Sequence, residues 1–130
     1  MKNKDGMTLI EVMIAIVISF IVFLGLSGAG IFVLNENIKN ELRDEAVSVA
    51  AMVMDNNVRN IPFDNLVIGA QSLNNVVRQI RGLTVTYVPT RTVASFTPDT
   101  RQVSIEVGWD RIENNQTKHF THTITTIVRR

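Results

Sequence analysis

The chain of 130 residues has no cysteine, only three prolines, none of them before Pro62, and aromatic residues at just 6%. Without thiols there is no disulfide framework, no thiolate metal site and no cysteine nucleophile, so a fold outside the cytoplasm has to be held by packing alone. A surplus of either charge is also missing. Thirteen Lys and Arg balance twelve Asp and Glu to a net charge of +1, which lacks the basic footprint of a dedicated nucleic-acid binder. The length suits one modest domain and no large multi-domain enzyme. Against these absences stands one excess: hydrophobic residues reach 45% and the mean hydropathy is +0.16. They are concentrated in the first quarter of the chain.

From Val12 to Leu34 no residue is charged, and the run is broken only by Ser19, Ser27, Gly25, Gly28 and Gly30. As a helix rising about 1.5 Å per residue it reaches about 35 Å, enough for a hydrocarbon core of about 30 Å. Ahead of it lies MKNKDG, with Lys2 and Lys4, so the amino terminus should stay cytoplasmic and the bulk of the chain should cross. Glu11 lies inside the apolar run, five residues after Gly6 and immediately before Val12. A carboxylate at the middle of a spanning helix costs about 2.5 to 3.5 kcal/mol, and less near an end.

Three readings fit this segment. A plain anchor would start at Val12 and leave Glu11 among the headgroups, with MTLI unexplained. A secretory signal peptide would be cut after Ser27-Gly28-Ala29, before Gly30, although the apolar run exceeds a usual core of about 7 to 15 residues and continues through Ile31 to Leu34. The third reading rests on the letters themselves. Gly6 followed by Met7-Thr8-Leu9-Ile10-Glu11 and an apolar helix, behind a short basic leader, resembles the class III signal of type IV pilins and type II secretion pseudopilins over about the first 35 residues.

That resemblance implies that a membrane-embedded prepilin peptidase cuts between Gly6 and Met7 and methylates the new amino group of Met7. Gly6, without a Cβ, can lie extended in a narrow protease cleft. Glu11 would then meet an ammonium, that of its own Met7 or of a neighbouring subunit, and neutralise it inside an apolar filament core where an unpaired carboxylate is expensive. Gly25, Gly28 and Gly30 fall where many pilins carry a helix-bending proline. They fit either local bending in a filament, at about 1 kcal/mol each relative to Ala, or close helix packing in the bilayer.

Beyond the membrane, Asn35 to about Asn60 reads as the amphipathic half of the same helix. Ile38, Leu42, Ala46, Val49 and Val53 share one face, Asp55 and Arg59 can pair one turn apart, and the break falls at Asn60-Ile61-Pro62. Ser72 to Arg81 reads as a short second helix with Ser72 as N-cap and Gly82 as the stop. After Gly82 the period becomes two. Strands are expected at Leu83 to Val88, ended by Pro89; at Thr92 to Phe96; at Gln102 to Trp109; and at His119 to Arg129, the last two joined by a turn over Asp110 to Thr117. The face bearing Val103, Ile105, Val107 and Trp109 should pack on the helical stripe.

The closing hairpin also resembles, less specifically, that of V-type minor pilins (the pilus modification proteins) and of I-type pseudopilins. Among such subunits this implies a sparse role in assembling or priming the filament tip.

No catalytic or metal-binding pattern competes with this. His119 and His122 are three apart on a strand and point to opposite faces, which prevents joint chelation. Ser48, Ser72, Ser95 and Ser104 belong to no triad motif, and no glycine-rich loop offers a phosphate cradle. Neither an enzyme nor a cofactor is expected. Arg129 and Arg130 suit a solvated tail or an acidic partner, and Trp109 continues the inward parity of its strand.

The expectation is therefore an α+β protein: a leader at 1–6, a transmembrane and filament-core helix at 7–34, its amphipathic continuation at 35–60, and a small head at 61–130 with an antiparallel sheet of about four strands. Its function would be that of a non-enzymatic minor pilin or pseudopilin. Its expected partners are prepilin peptidase, other pilins, an inner-membrane assembly platform and membrane lipid, with no nucleic acid. It would sit in the bacterial inner membrane, cytoplasmic at its amino end with a periplasmic head, before entering a pilus or a secretion pseudopilus. The rival reading is a single-pass membrane-tethered module whose head binds a ligand or protein.

Overall fold

The computed structural model describes residues 8–113 and 115–130. Gly6 and Met7 lie outside them. The chain divides into two compact units, Met1–Lys39 and Asn40–Arg130.

The first unit holds most of helix α1, which runs Leu9–Met54. Its large apolar side chains from Leu9 to Leu34 are exposed on every side; Phe20, Phe23, Leu26 and Phe32 each keep more than 60% of their surface. Covering a side chain of this kind is worth about 1.5 to 3 kcal/mol, so the segment requires lipid or other apolar helices around it. The helix is long and apolar enough to cross a membrane.

In the second unit the remainder of α1 packs on a sheet. Leu42, Ala46, Val49 and Val53 are buried, as the stripe predicts, together with Ala50 and Met54. The helix ends in one wider turn, Asp55–Arg59, where Asn60 N–H reaches back five residues to the Asp55 carbonyl at 3.1 Å. Arg59 pairs with Asp55 at 2.7 Å.

Five antiparallel strands follow: β1 Gly69–Ser72, β2 Val76–Ile80, β3 Leu83–Thr97, β4 Thr100–Glu113 and β5 Gln116–Arg129. The order is β1-β3-β4-β5, with β2 pairing β3 on the same side as β1. The inward face carries Val85, Tyr87 and Val93 of β3 and Val103, Ile105, Val107 and Trp109 of β4, all buried. Trp109 lies between Tyr87 and Phe120, each ring centroid 5.9 Å away.

Three expectations are corrected. The segment from Ser72 to Arg81 is no helix: it contains the end of β1 and the strand β2, because Val76, Arg78 and Ile80 alternate inward and the inward charge of Arg78 is met by Glu45 at 2.8 Å. Gly82 is accordingly a turn residue, not a helix stop. Ile80 pairs with Leu83, and the two residues between them, Arg81 and Gly82, take φ of 47° and 81°, as a tight hairpin turn requires.

Pro89 does not end a strand either; β3 runs through it. The Pro89 carbonyl accepts from Leu73 N–H at 3.0 Å, so its ring nitrogen faces that same edge, since both polar groups of a strand residue point to one side. There β1 has ended, at Ser72 opposite Thr90, and β2 begins only at Val76 opposite Tyr87. A missing N–H costs no ladder bond at that point.

The expected turn over Asp110 to Thr117 is instead mostly strand. Pairing persists to Glu113 opposite Gln116, with Asn115 in the left-handed region at φ 62°.

Candidate functional site

At the amino end the backbone of Thr8 sits just ahead of α1, and its carbonyl accepts the first helical bond from Val12 N–H at 3.2 Å. Its hydroxyl oxygen accepts from Glu11 N–H at 3.3 Å. In return the Glu11 carboxylate takes the Thr8 N–H at 2.8 Å and the Thr8 hydroxyl proton at 3.0 Å. This is a reciprocal capping box, which satisfies donors that a helix start otherwise leaves open. It also sets a negative charge at the positive end of the helix dipole. The spacing Thr8-x-x-Glu11 is itself a capping signature, and it is the signal that sequence reasoning passed over in favour of Glu11 as a filament carboxylate.

Gly25, Gly28 and Gly30 lie in unbroken helix, and a Cβ at any of them would meet nothing within 4 Å. Within the first unit they are open surface. Ser27 turns its hydroxyl back to the Phe23 carbonyl at 2.9 Å, so its donor is satisfied within the helix.

In the head, side chains that sequence reasoning missed tie the helix and the following loop to the sheet. The Tyr87 hydroxyl donates to the Leu42 carbonyl at 2.9 Å. Burial first, and then the nearby Glu45 charge, push its pKa up to about 12, against the opposing influence of Arg78. Arg81 reaches Glu41 at 2.6 Å.

Arg91 is only 6% exposed and donates to the Asn57 carbonyl at 2.8 Å and the Gln71 side-chain oxygen at 2.6 Å. Both acceptors are neutral, and the first belongs to the closing turn after α1, where carbonyls at a helix carboxyl end favour a cation. Arg101 donates to the Phe63 carbonyl at 2.7 Å and to the Leu66 carbonyl, while its guanidinium lies 4.4 Å over the Phe63 ring.

His119 and His122 occupy opposite faces of β5. His119 is exposed and meets Asp110 at 2.6 Å; His122 is half-buried beside Val107. Among the described residues no three His, Cys, Asp or Glu side chains gather as a metal site.

The constellation with a recognisable purpose is therefore the amino-terminal one: Thr8 and Glu11 at the head of an exposed apolar helix. Residues 1–27 match the family model of the prokaryotic N-terminal methylation motif, the class III signal typical of type IV pilins and pseudopilins. The match covers the leader and the first part of α1 and stops before the sheet. No curated protein and no solved structure matches the chain.

Proposed function

We propose that this chain is a non-enzymatic minor pilin or pseudopilin, a structural subunit of a type IV pilus or a type II secretion pseudopilus that acts in assembling the filament tip. The observation that carries the proposal is the methylation motif at residues 1–27, running into a helix whose apolar side chains are exposed all round. Residues 1–6 form the leader. Prepilin peptidase cuts between Gly6 and Met7, and the new Met7 amino group is methylated. The segment 7–34 then holds the subunit in the bacterial inner membrane, with the head periplasmic, until an assembly platform extracts it among other pilins. Gly25, Gly28 and Gly30 give that helix room to bend or to pack closely.

Glu11 serves twice in this scheme. It caps its own helix through Thr8, and it supplies the negative charge that the ammonium made by cleavage, one residue before Thr8, requires in an apolar surrounding.

The test is the intact mass and amino-terminal sequence of the protein recovered from its native membrane. A chain that starts at Met7 with one added methyl group supports the proposal. A Met1 start overturns it in favour of a membrane-tethered binding module, and a Gly30 start makes it a secreted protein. A Glu11→Lys variant should reach the membrane and fail to enter filaments; normal incorporation would sink the assigned role of Glu11.

A further inference from the structure

Strand β5 is the last of the sheet, and among the described residues nothing pairs with its outer edge. The bonding pattern fixes which groups are left over. Pro89 directs its polar groups away from β4, so the pair Pro89 and Val107 exchanges no bonds, and Val107 must bond the other way, to His122 of β5. Alternation then assigns every even-numbered residue of β5 to β4 and turns the N–H and C=O of every odd-numbered residue, from Thr117 to Arg129, to the open edge. Arg130 obeys the same parity, since its N–H points inward to the Asp99 carbonyl at 3.0 Å. The open edge is about 40 Å long at about 3.4 Å per residue.

Sheet edges are ordinarily blunted by proline, bulges or inward charges. From His119 to Val128 this strand has no Pro, Gly, Lys, Arg, Asp or Glu, and its pairing with β4 shows no register shift. Its inward residues Phe120, Ile124 and Val128 stay half-buried, because they continue the core of β4 to an edge that no further strand covers among the described residues.

Charge indicates what the edge accepts. Residues 116–130 contain Lys118, Arg129 and Arg130 and no Asp or Glu. Glu113 offsets Lys118 at 2.9 Å and Asp64 offsets Arg130 at 3.3 Å, which leaves Arg129 without a carboxylate partner among the described residues. A second copy of β5 brings no acid to it. An antiparallel pairing centred on Thr123 would set Arg129 of one copy opposite Thr117 of the other, which offers it no charge.

We infer that the outer edge of β5 is a strand-addition site for an extended segment of another protein, one with apolar residues at alternate positions and a carboxylate opposite Arg129. Its backbone would take up the odd-numbered N–H and C=O groups, while its apolar side chains cover Phe120, Ile124 and Val128. This goes beyond the filament reading and does not depend on it.

The test uses the full chain in detergent micelles and a synthetic nine-residue peptide of alternating valine and threonine with glutamate at its amino end. Amide exchange should slow about tenfold or more at Thr121, Thr123, Thr125 and Ile127, with the already bonded even-numbered amides unchanged. A peptide with lysine in place of glutamate should bind about threefold more weakly, and one N-methylated at alternate residues should not bind. Thr123→Pro removes only an edge-facing N–H, so it should keep the fold and abolish the protection. The inference is overturned by protection without the odd-even alternation, by equal binding of the N-methylated peptide, or by edge protection that rises with protein concentration alone, which would make the occupant a second copy.

Discussion

The Tyr87 hydroxyl donates to the Leu42 carbonyl oxygen at 2.9 Å, joining the central strand of the sheet to the start of the packed part of α1. This bond has a pH signature. The folded phenol titrates at about 12, above its ordinary value of 10, so burial disfavours the ionised form. A raised folded pKa means that the contribution is complete below pH 10 and is lost as the pH climbs from 10 towards 12. Denaturation midpoints measured from pH 8 to 12 should fall over that window in the native chain. In Tyr87→Phe the fall should be absent, and the neutral-pH stability should drop by about 1 kcal/mol.

Arg101 is held to be the fastening of the loop after α1, since it bonds the carbonyls of Phe63 and Leu66 and covers the Phe63 ring. Removing it leaves two acceptors without their donor and an aromatic face uncovered. Arg101→Ala should cost about 1 to 3 kcal/mol, and limited proteolysis should move to residues 63–68. Arg101→Lys keeps the charge but not the flat guanidinium over the Phe63 ring, and should recover less than half of the loss.

Gly108 carries the His119 ring above it. A Cβ there would lie 2.9 Å from the His119 Cε1 atom, which is too close, but the obstruction is the end of an exposed side chain that can swing away. The exposed Asp110–His119 contact is worth at most about 1 kcal/mol. Gly108→Ala should therefore fold with a stability change below about 1 kcal/mol, while the His119 ring resonances shift as its contact with Asp110 breaks. A loss of several kcal/mol would mean that the ring is held in place by more than Asp110.

What could be read from the sequence divides along the range of the interactions. Local periodicity was enough for the buried face of Leu42, Ala46, Val49 and Val53, and for the inward row Val103, Ile105, Val107 and Trp109. It was not enough for β2, where the alternation Val76, Arg78, Ile80 is disguised by a charge whose partner, Glu45, is 33 residues away. It failed at Pro89 for a related reason: whether proline ends a strand depends on what faces its nitrogen, and the neighbouring strands decide that. Around Asn114 and Asn115, polar composition suggested a long turn, whereas cross-strand pairs such as Asp110 with His119 continue the ladder. At the amino end the important letters were legible, including the methylation motif. The bond between Thr8 and Glu11 needed only the capping spacing to be noticed.

Pro89 has one further consequence. A strand as long as β3, rich in threonine and valine, has little in its outward residues to stop it sliding by two positions against its neighbours, since such a slip returns every side chain to the same face. The proline opposes it. Moved two residues either way, its ring nitrogen would stand opposite β1 or β2 where a donor is required, and a ladder bond would be lost. The residue that looks in the sequence like the end of the central strand thus adds to the Arg81–Gly82 turn in keeping that strand in alignment.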